Sequence, residues 1–190
     1  MRIAILGWGS LIWNPQNLRL LRDKTNRVWF PDGVRLPIEF ARISSDGRLT
    51  LVIKDKVDNV TTLFAISSFE NLDEAILDLA IREGCGKNKI GYCVKQGKEI
   101  SPPKFKYDSN VFKWLDAKDD IDAVLWTNLS PNFKDKIGLE LNIENVINYL
   151  RHLPLEVQVK AEEYIRKAPT IINSSIRRAI IEQLGWRNIL

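Results

Sequence analysis

Leu6-Gly7-Trp8-Gly9-Ser10-Leu11-Ile12-Trp13 ends a short apolar run, residues 3–6, with two glycines. The run itself reads as a buried strand. A Gly-x-Gly after a strand invites a dinucleotide-binding reading, which needs a third small residue three positions after the second glycine so that a helix can pack on the strand. That position holds Ile12, and Trp13-Asn14-Pro15 follows. Proline disfavours helical geometry in the residue before it, so no helix runs cleanly from this loop. No alternation of strand and helix follows either, and the dinucleotide fold is rejected. What is left is a strand leading into a loop with amides at Gly9, Ser10 and Leu11. Successive N–H groups in such a turn form an anion-binding concavity. The plainer alternative is a tight turn that buries Trp8 and Trp13.

Outward from the loop the chain is first β-rich and then helical. Residues 34–44 and 48–53 are strand-like and are joined by Ser45-Asp46-Gly47, a hairpin signal. Residues 61–66 continue the pattern. The period changes at 71–82, where Leu72, Ala75, Ile76, Leu79 and Ala80 share one helical stripe. Asn71 with Glu74 makes a capping box there, and Gly84 a C-terminal stop. Residues 91–95 and 123–127 read as strands. Residues 17–23 read as loop or turn, and the charged segment 96–120 gives no clear reading. From Ile143 onward, residues 144–151, 155–167 and 174–184 each carry a helical stripe. The chain is therefore α+β, with a β-rich part over 1–142 and a helical C-terminal extension over 143–190 packing on the same domain.

Composition narrows the chemistry. The net charge of +4 is scattered, and Lys104-Phe105-Lys106-Tyr107 is the nearest approach to a basic, aromatic stripe. A nucleic-acid partner is not expected. With no apolar run of about 18 residues, neither is a membrane partner. Glycines and Asn14-Pro15 interrupt the first apolar run and no cleavage site follows it, so a cytoplasmic location is expected. Cys85 and Cys93 are the only cysteines and His152 the only histidine. They make neither a disulfide framework nor a four-ligand zinc site. His152, between Arg151 and Leu153-Pro154, reads as a helix-end residue. No metal and no cofactor are expected, which leaves carboxylates, hydroxyls and backbone amides.

The run from Gly7 to Pro15 resembles the Tyr-Gly-Ser loop of the γ-glutamyl cyclotransferase-like family, especially the Tyr-Gly-Ser-Leu-(Ile/Met)-Trp form of its glutathione-degrading branch. Phe40-Ala41-Arg42-Ile43-Ser44 followed by Gly47 resembles its second strand. Arg82-Glu83-Gly84 with Gly91-Tyr92 resembles the segment carrying its catalytic glutamate, and Leu125-Trp126-Thr127-Asn128 resembles a later strand. The resemblance spans roughly residues 3–130. It implies a small mixed β-barrel with flanking helices and says nothing of the tail from 143.

It also implies a cofactor-free reaction in which a substrate's own α-amino group attacks its γ-carbonyl. An amine is released and 5-oxoproline is left, so the implied partner is a small γ-glutamyl compound. Glu83 matches the catalytic glutamate, and one carboxylate can take the proton from the attacking amine and pass it to the leaving amine. A helix C-terminus and burial both disfavour its charge, while Arg82 opposes them. Gly7, Trp8, Gly9, Ser10 and Leu11 would bind substrate, with the amides polarising the carbonyl. Tyr92 would contribute a hydroxyl, and Arg42 reads either as a carboxylate partner or as an outward strand residue. Trp8 stands where the family has tyrosine; it keeps an N–H donor but cannot accept a hydrogen bond or titrate. The alternative is a non-catalytic binder of a small acidic metabolite. Homodimer formation stays open.

Overall fold

A computed structural model describes residues 1–189. Its strands are β1 (Ile3–Gly7), β2 (Arg35–Ile43), β3 (Leu49–Ile53), β4 (Asn59–Thr61), β5 (Leu63–Ile66), β6 (Ile90–Val94), β7 (Glu99–Ser101) and β8 (Ala123–Thr127). Its α-helices are α1 (Leu72–Glu83), α2 (Asp108–Asp116), α3 (Phe133–Ile137), α4 (Ile143–Arg151), α5 (Leu155–Lys167) and α6 (Ser175–Leu184). The chain divides into two compact units. The first takes residues 1–7, 14–36 and 61–129; the second takes 8–13, 37–60 and the stretch from Ser130 to the last described residue.

The first unit is built on a mixed five-stranded sheet in the order β5-β1-β8-β6-β7. β1 pairs antiparallel with β5 and parallel with β8, and all five of its residues are buried. A strand with neighbours on both edges and both faces covered reads as an unbroken apolar run, which is why Ile3-Ala4-Ile5-Leu6 shows no alternation. α1 packs on β8 and β6 through Ala75, Ile76, Leu79 and Ala80. Its first turn is capped by the Asn71 side chain, which accepts from the Glu74 N–H at 3.2 Å, and Gly84 ends it at φ 61°. The unread segment 96–120 contains β7 and α2.

The expected barrel is corrected. The molecule has two sheets, the second being three-stranded in the order β3-β2-β4, and neither is closed on itself among the described residues. Closure needs the outermost strands to offer paired N–H and C=O groups to one another. β7 has three residues and is followed by Pro102-Pro103, which carry no backbone N–H. On the outer edge of β5, Phe30 supplies an isolated antiparallel bridge to Phe64.

In the second unit, β2 and β3 form the expected hairpin, with the Ser44 N–H on the Arg48 carbonyl and Gly47 at φ 85°. The left-handed backbone at Gly47 is one that only glycine adopts freely. The Tyr149 hydroxyl of α4 donates to the Gly47 carbonyl at 2.6 Å, tying the first tail helix to the hairpin turn. α5 lies on β3, and α6 packs on α4. The guanidinium of Arg177 in α6 is buried and donates to the carbonyls of Ile165, Ala168, Pro169 and Ile172. These acceptors sit at and just beyond the C-terminus of α5, where carbonyls lack helical partners and the dipole favours a cation. Burial pulls its pKa down to about 10, so the group stays charged at neutral pH.

Candidate functional site

The first unit holds Gly7, Glu83 and Tyr92; the second holds Trp8, Gly9, Ser10 and Leu11. Within the first unit, Glu83 ends α1 with its side chain 16% exposed. It is paired to the guanidinium of Arg82, whose side chain is 8% exposed, Nη1 to Oε1, at 2.6 Å. Burial pushes the Glu83 pKa up, and the Arg82 charge and hydrogen bond pull it partly back. Arg82 also donates through Nη2 to the carbonyl of Asn14 at 2.8 Å. Asn14 is the first residue after the glycine loop and Gly7 the last before it. A methyl group on Gly7 would lie 2.5 Å from the Trp29 ring, so the loop's entry is packed as closely as a bare backbone allows.

Tyr92 is half-buried on β6, and its hydroxyl donates to Glu99 Oε1 at 2.6 Å. That bond, together with the negative charges of Glu99 and Asp73, raises its pKa. Asp73 lies in the first turn of α1, whereas Glu83 lies in the last. Ten residues of helix separate those turns by roughly 15 Å. The Tyr92 hydroxyl is thus engaged by Glu99, whereas the Glu83 carboxylate is engaged by Arg82.

In the second unit the loop turns back on itself, with the Ile12 N–H on the Gly9 carbonyl at 3.0 Å. Trp8 and Leu11 are buried. The Trp8 indole N–H donates to the Leu51 carbonyl at 3.3 Å, which uses the one polar atom of that side chain. Tyr164 of α5 underlies the turn. Its hydroxyl accepts from the Leu51 N–H at 3.3 Å, and its ring meets Trp13 edge-on at 5.3 Å. A methyl on Gly9 would lie 2.5 Å from that hydroxyl oxygen. The tail helix thus supports the loop from beneath. Among the described residues, the N–H groups of Gly9 and Leu11 have no protein acceptor.

Other candidates are engaged in structure. Arg42 donates to the Ser130 carbonyl at 2.8 Å. His152 caps α4, with Nδ1 2.7 Å from the Asn148 carbonyl. Burial pushes the Cys93 thiol up to about 12, too high for a thiolate nucleophile. Among the described residues no group of three or more His, Cys, Asp and Glu side chains is placed to hold a metal ion, and no helix is long and apolar enough to cross a membrane. The sequence reading missed Glu39, a carboxylate 2% exposed within β2. Its signal was a charged residue inside the apolar run Leu36-Pro37-Ile38-Glu39-Phe40-Ala41.

Set against family models, curated proteins and solved structures, the chain matches none.

Proposed function

We propose that the protein is a cofactor-free cyclotransferase-type enzyme that acts on a γ-glutamyl compound, releasing 5-oxoproline and an amine. The observation that carries this reading is Glu83. It is a half-buried carboxylate of raised pKa, held by Arg82, whose guanidinium also grips the first residue after the glycine loop. A carboxylate that holds its proton more tightly than usual suits a shuttle between two amines. In this reading Glu83 takes one proton from the substrate's neutral α-amino nitrogen as that nitrogen attacks the γ-carbonyl carbon. It then returns that proton to the departing amine nitrogen as the C–N bond breaks. The Gly9 and Leu11 N–H groups, which have no protein acceptor among the described residues, are donors of the kind that stabilises charge developing on a carbonyl oxygen.

The test is incubation with γ-glutamyl amino acids, γ-glutamylamines and glutathione, following 5-oxoproline. Formation from at least one of them is expected, with a loss of about 10²–10⁴-fold in Glu83→Gln. Product formed at an undiminished rate by that variant overturns the mechanism. Binding of a γ-glutamyl compound without product moves the protein to the non-catalytic alternative.

A further inference from the structure

Glu39 is the most deeply buried carboxylate among the described residues that the proposed reaction does not use, and its surroundings are those of a binding site. Its Oε1 accepts from the Ser174 hydroxyl at 2.6 Å and from the Phe40 N–H at 2.7 Å. Among the described residues, Oε2 has no protein donor. Glu39 nevertheless lines two open cavities, of about 590 and 220 Å³, both inside the second unit. A residue 2% exposed reaches a cavity only through the few atoms it has not buried. Lys54 and Lys56 line the larger cavity and Lys56 and Arg178 the smaller, the two adjoining along Glu39, Lys56, Val57 and Ser175; Lys54 and Arg178 act electrostatically on the carboxylate. The N-termini of α4 and α6 open on it through Asn142 and Ser175. Asp55, Asp58 and Glu144 of the lining are exposed, as are Lys56 and Arg178, and solvent weakens the effect of all five; Glu39 and the half-buried Lys54 are the charges it screens least.

This charge pattern selects among ligands. A bare cation would meet Glu39 but also the half-buried Lys54, with Lys56 and Arg178 at the rim. A bare anion would meet those side chains and two helix N-termini, but at the cost of facing a buried carboxylate. A molecule with both charges a few ångströms apart satisfies each part. We propose that this groove binds a small zwitterion of the α-amino acid type, with its ammonium group on Glu39 Oε2. Its carboxylate is held toward Lys54, Arg178 and the first turn of α6. The site goes beyond the γ-glutamyl reading and uses none of that reading's residues. The larger cavity falls within the usual range of about 300–1,000 Å³ for small-molecule sites.

The test is titration of the intact protein with L-alanine, L-leucine and L-glutamate, followed by backbone NMR and calorimetry. Each is compared with its N-acetyl derivative and its α-amide, and inorganic phosphate is titrated separately. At least one amino acid should bind and shift the amide signals of Phe40 and Ser175. Removing either ligand charge should weaken binding by about tenfold or more, as should Glu39→Gln and Lys54→Ala. Should Glu39→Gln not fold, the exposed-side variants Lys54→Ala and Arg178→Ala decide the question in its place. The proposal is overturned if none of the three amino acids binds at millimolar concentration. It is equally overturned if the N-acetyl derivatives bind as tightly as the parent, if phosphate alone binds, or if the variants bind unchanged.

Discussion

Glu83 and Glu39 meet the same cost by different means. Both are carboxylates that burial makes reluctant to ionise. Glu83, at the end of α1, is offset by a full opposite charge on the adjacent residue, at 2.6 Å. Glu39, inside β2, is offset at close range only by a hydroxyl and a backbone N–H, with its nearest cations on the wall of a cavity. A local ion pair spends the carboxylate's attraction on the protein itself. Neutral donors on one oxygen leave the other able to attract something from outside. The difference teaches that burial alone does not fix a carboxylate's behaviour; the groups that offset it do.

The comparison sharpens most when each partner is removed. Arg82→Ala should cost about 3 kcal/mol, because it leaves a half-buried carboxylate without its counter-charge and also frees the Asn14 carbonyl. Urea unfolding at neutral pH reads this. A cost under about 1 kcal/mol would show that the pair behaves as a surface salt bridge and would break the contrast.

Ser174→Ala should cost less, about 2 kcal/mol. It removes a neutral donor to Glu39 and the N-cap that accepts from the Arg177 N–H at 3.2 Å. Denaturation of both variants side by side sets their order, and Ser174→Ala proving the costlier would reverse it.

The smallest effect is in the pH dependence of stability. A carboxylate with a raised folded pKa binds its proton more tightly folded than unfolded. Its contribution is therefore fully present below the ordinary glutamate value of 4.5, and it is lost as pH rises from there through the raised folded value. Each such group contributes at most about 1.4 kcal/mol per pH unit inside that window. Glu39→Gln should flatten this decline more than Glu83→Gln does, since two neutral donors offset burial less than a guanidinium. Thermal unfolding across the acidic range tests it, and equal slopes in the two variants would contradict the assignment.

Local signals carried much of the fold. Asp46-Gly47 between two β-rich runs marked the β2–β3 hairpin, and Asn71, Glu74 and Gly84 marked both ends of α1. The three tail helices followed from their apolar periods. α2 was missed because only Val111 and Leu115 of its nine residues are buried, too few to impose a period. β4 and β7 have three residues each, shorter than any alternation that a sequence can display. Barrel closure was misread because strand edges, and what blocks them, are not written in strand propensity.

For the site, the chain alone narrowed the expected repertoire: with one histidine and two cysteines, it pointed to carboxylates, hydroxyls and amides. It also gave the Glu83–Arg82 neighbourhood, since adjacent residues need no tertiary structure to meet. Only the folded chain could bring Tyr164 beneath Gly9, turn the Trp8 indole onto Leu51, and put Ser174 on Glu39. Those partners lie far apart in sequence, and their meeting is decided by how helices and strands pack rather than by what each residue prefers locally. The glycine loop itself was visible from its residues; that α5 supports it from beneath was not.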